Sequence, residues 1–136
     1  MLTSEIVAAA RQCLGTPFVH QGRVVGVGLD CAGVCCHVAG SFGLDVVEVQ
    51  GYGETPNKGM LEQALDMQDY LMVVEDMRPG DILLMRFFSE PQHLAILTED
   101  NTIIHAYETI GSCVEHGLDD RWLSRIVRIY RFKDAV

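Results

Sequence analysis

Apolar positions recur at helical spacing in the first half of the chain and alternate at strand spacing in the second. Residues 4–14 make an amphipathic pattern with Thr3 or Ser4 as cap and Gly15 as stop. Asp30 is a good N-cap for a second helix over residues 31–39, which Gly40 ends. Over residues 57–70, Met60, Leu61, Ala64, Leu65 and Gln68 fall near one helical face, with Leu71 beyond. Two irregular Gly-rich loops, "GTPFVHQGRVVGVG" and "GSFGLDVVEVQGYGETPNKG", separate these patterns. After the turn "MRPG", "DILLMRFF", "HLAILT" and "TIIHAYE" read as strands, the last two flanking a polar turn at Glu99, Asp100 and Asn101. "SCVEH" is a further short strand, "DDRWLS" one helical turn, and "RIVRIYRF" an edge or terminal strand. Helices first and a meander of strands afterwards give an α+β fold.

At 136 residues, 49% hydrophobic and 21% charged, the chain reads as a single domain over residues 1–136 with a sizeable core. Ten basic residues against nineteen acidic ones leave a net charge of −9, which repels nucleic-acid phosphates and anionic lipid. No nucleic-acid partner is expected. The first fifteen residues carry Glu5 and Arg11 around a very short apolar stretch, so neither a signal peptide nor membrane insertion is expected. Synthesis in the cytoplasm follows. Five cysteines, two of them adjacent, do not resemble a disulfide framework and read as free thiols.

Three of those cysteines and a histidine crowd into "GLDCAGVCCH". Cys31 and Cys35 are one helical turn apart and could share a metal ion, but no second ligand pair has zinc spacing. A thioredoxin-like site would want C-x-x-C, which is absent. "AGVCCHVAG" is apolar almost all round, so Cys35 and Cys36 read as core filling and His37 as a satisfied or partly exposed histidine. Cys31 differs, because a residue just after an N-cap places its sulfur at the positive end of the helix, which lowers a thiol pKa. Asp30 opposes that effect. With the hairpin turn centred on Asp100, His93 faces Tyr107 and Ala95 faces His105, so the two histidines lie diagonally on one face. Thiol, imidazole and orienting imidazole match an activated nucleophile; a histidine pair facing solvent is the alternative that spacing leaves open.

"GTPF…GLDCAG", "RPGDILLM", "QHLAIL" and "TIIHAY", in that order, resemble the NlpC family of papain-like cysteine peptidases, whose signatures are D-C-S-G, P-G-D-L, H-V-G-I and I-H-A. The resemblance runs from about Gly15 to Tyr107, and the final "RIVRIYRF" suits the family's closing strand. It implies a papain-like fold, with N-terminal helices packed on a mostly antiparallel β-sheet. It makes Cys31 the nucleophile, His93 the general base and His105 the orienting residue, with no metal or other cofactor. The implied reaction is hydrolysis of amide bonds in bacterial cell-wall peptides, typically between D-γ-glutamyl and a diamino acid. The "HQGR…GLDC" wording looks like versions encoded with bacteriophage tail genes, which implies tail proteins as partners and a place in the virion. Two departures stand out. Phe18 occupies the position of a family tyrosine thought to help bind the oxyanion, leaving His20, Gln21 or backbone N–H groups to substitute, and Ala32 replaces a serine. Arg23 and Arg86 are candidate partners for a substrate carboxylate. Phe18 also motivates the competing reading, a tail-assembly or binding module without useful turnover; a thiol acyltransferase is a third.

Overall fold

The computed structural model describes residues 1–48, 59–87 and 90–136. Its elements are α1 (Thr3–Arg11), β1 (Arg23–Val24), β2 (Gly28–Leu29), α2 (Cys31–Ser41), α3 (Met60–Asp66), β3 (Leu71–Val74), β4 (Ile82–Phe87), β5 (Glu90–Leu97), β6 (Thr102–Tyr107), β7 (Ser112–Gly117), α4 (Asp120–Leu123) and β8 (Ile126–Phe132). β1 and β2 form a small hairpin, and the other strands form one sheet in the order β3-β8-β4-β5-β6-β7, every neighbour antiparallel. The α+β fold expected from the element order is the one observed.

Strand periodicity sorts the sheet residues onto two faces. Ile82, Leu84, Leu94, Ile96 and Ile104 join Ile6, Val34, Val38 and Leu61 in the core beneath α1, α2 and α3. Their alternates Leu83, Met85, Ala95, Leu97 and Ile103 pack with Leu118 and Trp122 on the opposite face. Each such side chain contributes about 1.5–3 kcal/mol on full burial, so the sheet is held from both sides.

Several boundaries move, each for a local reason. α1 starts at Thr3, so its N-cap is Leu2 and not the expected Thr3 or Ser4, and Glu5 reaches back to accept the Leu2 N–H at 2.9 Å. α3 stops at Asp66, short of residue 70, while the start expected at Asn57 lies outside the described residues. Beyond its end, the buried Gln68 side chain donates to the carbonyls of Ala64 and Val47 and accepts the Val47 N–H, all within 2.8–2.9 Å. That frees "LMVV" to pair as β3, a strand hidden in the sequence behind the helical pattern. β8 is consequently not an edge: it lies between β3 and β4. Asp81, at the foot of β4, is a strut. Its carboxylate accepts from Arg131 Nε and Nη2 at 2.9 and 2.8 Å and from the Arg78 N–H at 2.8 Å, and both charged side chains are buried.

Candidate active site

Asp30 organises the start of α2. Its Oδ1 accepts the Gly33 N–H at 2.8 Å, which is the N-cap bond expected from sequence, and also Arg23 Nη1 at 2.7 Å. Its Oδ2 accepts the N–H of Gln21 at 3.0 Å; Gln21 stands in the left-handed region at φ 60°. Arg23 Nε reaches Glu48 at 3.0 Å as well, so this cation is engaged by two carboxylates. The loop and the β1–β2 hairpin are thereby strapped onto the helix. Gly33 is the position that permits it, since a Cβ there would meet the Gly22 carbonyl oxygen at 2.3 Å. His20 lies half-buried in the same loop, and Phe18 is held by its N–H donating to the Gly111 carbonyl at 2.8 Å. Arg86 is exposed near the end of β4, beside a register shift.

Across the sheet the β5–β6 ladder pairs only Ile96 with Ile104 and Leu97 with Ile103. It follows the register set by the turn at Asp100, then opens. Leu97 directs its N–H and carbonyl toward the β4 side, so by alternation Leu94 directs its N–H into the gap beside β6. There it faces the Cys31 sulfur and, with the N–H of Ala32, favours the thiolate. The thiol thus lies near the residue following His93, without a hydrogen bond to the His93 ring itself among the described contacts. Such bonds are often long in a ligand-free site and tighten on substrate binding.

The two histidines meet as the diagonal placement required. His93 Nε2 lies 2.5 Å from His105 Nδ1. His105 Nε2 lies 2.8 Å from Nε2 of His116 on β7, and His116 Nδ1 donates to the Gly117 carbonyl at 3.1 Å. Sequence reasoning did not single out His116. Its signal was the alternation of "SCVEH", which puts it opposite Ile103 and on the face of His105 once the β6–β7 register is known. Phe87 stacks on His93 and Tyr107 on His105, both at 5.2 Å, and Trp122 meets His105 edge-on at 5.0 Å. Arg125 lies over the Trp122 ring at 4.5 Å and the Phe87 ring at 5.0 Å.

This enclosure decides the charges. Burial pushes the Cys31 thiol up to about 12, Asp30 adds to the rise, and the N–H groups of Leu94 and Ala32 with Arg23 only partly oppose it. The helix end was expected to acidify this thiol; desolvation and the capping carboxylate outweigh it. Burial lowers His93 to about 3, with Arg125 and His116 contributing, and lowers His105 to about 2, with His93 and His116 contributing. At neutral pH the site therefore rests as a thiol beside neutral imidazoles. Cys35 and Cys36 line an apolar cavity between α2 and α3, and burial raises both thiols. His37 is partly exposed and pairs with Gln12 Oε1 at 2.9 Å.

The chain is similar to known proteins. The NlpC/P60 family profile matches residues 15–131. The chain belongs to the NlpC/P60 family. This is a family of cysteine peptidases. Among solved NlpC/P60 structures, the domain of the peptidoglycan hydrolase SagA is 22% identical with a TM-score of 0.67, over 96% of this chain and 98% of that one. An NlpC/P60 protein from Bacillus cereus is 17% identical with a TM-score of 0.71, and the peptidoglycan hydrolase RipB from Mycobacterium tuberculosis is 12% identical with a TM-score of 0.68. Both matches cover 96% of this chain, but only 40% and 64% of those proteins. The shared fold is papain-like, with helices on an antiparallel sheet. No curated protein matches the sequence.

Proposed function

We propose that this NlpC/P60 chain is a cysteine endopeptidase that hydrolyses amide bonds in bacterial cell-wall stem peptides, of the D-γ-glutamyl–diamino acid type. The observation that carries the reading is Cys31 as the first residue of the Asp30-capped helix α2, which packs on β5, the strand of a His93 whose ring is already bonded to His105. His93 commits Nε2 to His105, leaving Nδ1 for the thiol proton. Because the site rests neutral, proton transfer accompanies attack rather than preceding it. Cys31 Sγ bonds to the carbonyl carbon as its proton passes to His93 Nδ1, and the imidazolium returns that proton to the leaving amine as the C–N bond breaks. Water, deprotonated by His93, then cleaves the thioester and restores the thiol. The start of α2 offers N–H groups for the oxyanion in place of the hydroxyl that Phe18 lacks. Peptidoglycan hydrolysis by SagA and RipB, which share the fold, supports the choice of substrate. The "HQGR…GLDC" stretch supports a setting among phage tail proteins, with incorporation into the virion; copurification with phage tail proteins tests that part.

Digestion of purified wall peptides, followed by mass spectrometry, tests the activity. Cleavage that stops in Cys31→Ala and His93→Ala is expected, and unchanged cleavage in Cys31→Ala overturns the reading. Phe18 and the raised thiol favour a second reading, a tail-assembly or binding module with little turnover. Tight binding of wall peptides by the wild type without product formation would support it.

A further inference from the structure

The described hydrogen bonds of the site do not stop at the orienting histidine: three imidazoles stand in line and end on a main-chain carbonyl. A carbonyl oxygen only accepts, so His116 must carry its proton on Nδ1. With its one proton on Nδ1, His116 presents a lone pair at Nε2, and His105 must donate to it from Nε2–H. His105, neutral in its buried position, is left with a lone pair at Nδ1, which His93 meets with Nε2–H. The remaining lone pair of His93 is at Nδ1. That is the atom the reaction needs as base.

We propose that His116 is a positioning residue that sets the tautomer of the general base, through His105, from the Gly117 carbonyl. The proposal rests on the peptidase reading only where it names His93 as the base; the order of the protons follows from the hydrogen bonds with one proton on each ring. Their sense is reversible. If the group at position 116 could only donate, His105 would have to accept at Nε2 and donate from Nδ1. His93 would then accept at Nε2 and hold its proton on Nδ1, with nothing left to receive the thiol's proton. No proton need travel along the line during catalysis. The carbonyl acts by fixing which nitrogen of each ring is occupied, and the donation from His93 Nε2–H into His105 strengthens when His93 becomes an imidazolium. His116 touches neither the thiol nor, in this reading, the substrate, so its effect falls on kcat and not on KM.

The test compares His116→Gln, which keeps an acceptor, His116→Leu, which has none, and His116→Lys, which can only donate. Two readouts serve, and the first does not depend on the wall-peptide substrate. Nitrogen-15 NMR of the imidazoles at neutral pH is expected to show protonated Nε2 and bare Nδ1 on His93 in the wild type and His116→Gln. In His116→Lys it is expected to show the reverse. With wall peptides, kcat is expected to recover most of its value in His116→Gln and to fall about 10–100-fold in His116→Leu. In His116→Lys it is expected to fall further, toward the roughly 10⁴-fold associated with a wrong base tautomer, with KM little changed throughout. A merely structural role would rank the variants by packing, with Gln and Leu alike. Equal losses in Gln and Leu, or protonated Nδ1 on His93 in the wild type, would overturn the proposal.

Discussion

Lowering the pH loads protons onto the unfolded chain that the folded site refuses. His93 and His105 are 5% and 0% exposed, and burial depresses both below the usual imidazole range, to about 3 and about 2. In the unfolded chain each titrates near about 6.5. The unfolded state therefore binds more protons, and stability falls as the pH drops. The contribution is fully present above about pH 6.5 and is lost progressively down to about pH 3, where the folded site begins to protonate too. Between about pH 7.5 and 5.5 the loss barely depends on how far the folded values are depressed. For each histidine it is RT ln(1 + 10^(6.5 − pH)), under about 0.1 kcal/mol at the upper pH and about 1.4 kcal/mol at the lower. The pair thus costs about 3 kcal/mol over this window, a large share of the 5–15 kcal/mol typical of a domain. Urea unfolding at the two pH values measures it, with the slope held common. In His93→Gln or His105→Gln the pH difference should fall by about half, and in the double variant it should nearly vanish. Each variant is compared with itself, so baseline destabilisation cancels. Equal wild-type stability at the two pH values, or a full difference in the double variant, would refute the assignment of buried neutral rings.

Other expectations follow from single contacts. Asp30→Asn should lower the Cys31 thiol pKa, seen as faster alkylation at neutral pH, while weakening the fold by about 1–3 kcal/mol because Arg23 and Gln21 lose an ionised partner. Asp81→Ala should cost about 3–5 kcal/mol in thermal or urea unfolding, since it strands the buried Arg131. Gly33→Ala should destabilise by about 1–3 kcal/mol and slow alkylation of Cys31, because the new methyl meets the Gly22 carbonyl. Gly40→Ala in the same helix meets nothing within 4 Å and should instead stabilise by up to about 1 kcal/mol.

What could be read from the chain alone was what nearest neighbours decide. Asp30 caps α2 because a carboxylate just before a helix reaches the otherwise unpaired N–H three residues on, that of Gly33. The short turn at Asp100 and the period of two along "HLAIL" and "TIIHAY" are enough to put His93 and His105 on one face and in contact. Local pattern failed where a competing contact came from elsewhere. Gln68 turned back onto Val47 and Ala64 and exposed β3 as a strand, and β8 became interior only because β3 arrived beside it. His116 looked like one polar residue in a short strand until the β6–β7 register set it against His105.

The charge state of the site was beyond the sequence for a deeper reason. A helix start predicts an acidified thiol, because the dipole of α2 is local to the residues that form it. Desolvation is a sum over everything that surrounds the sulfur: the strands β5 and β6 on which α2 packs, the hairpin strapped to α2 by Asp30 and Arg23, and the carboxylate that does the strapping. The same holds for the imidazoles, which stay neutral because Phe87, Tyr107 and Trp122 close around them from three separate segments. Sequence determined that His93 and His105 share a face and that Asp30 caps the helix of Cys31. Only the tertiary structure decided which of them hold their protons, because burial belongs to the packed whole and not to any stretch of the chain.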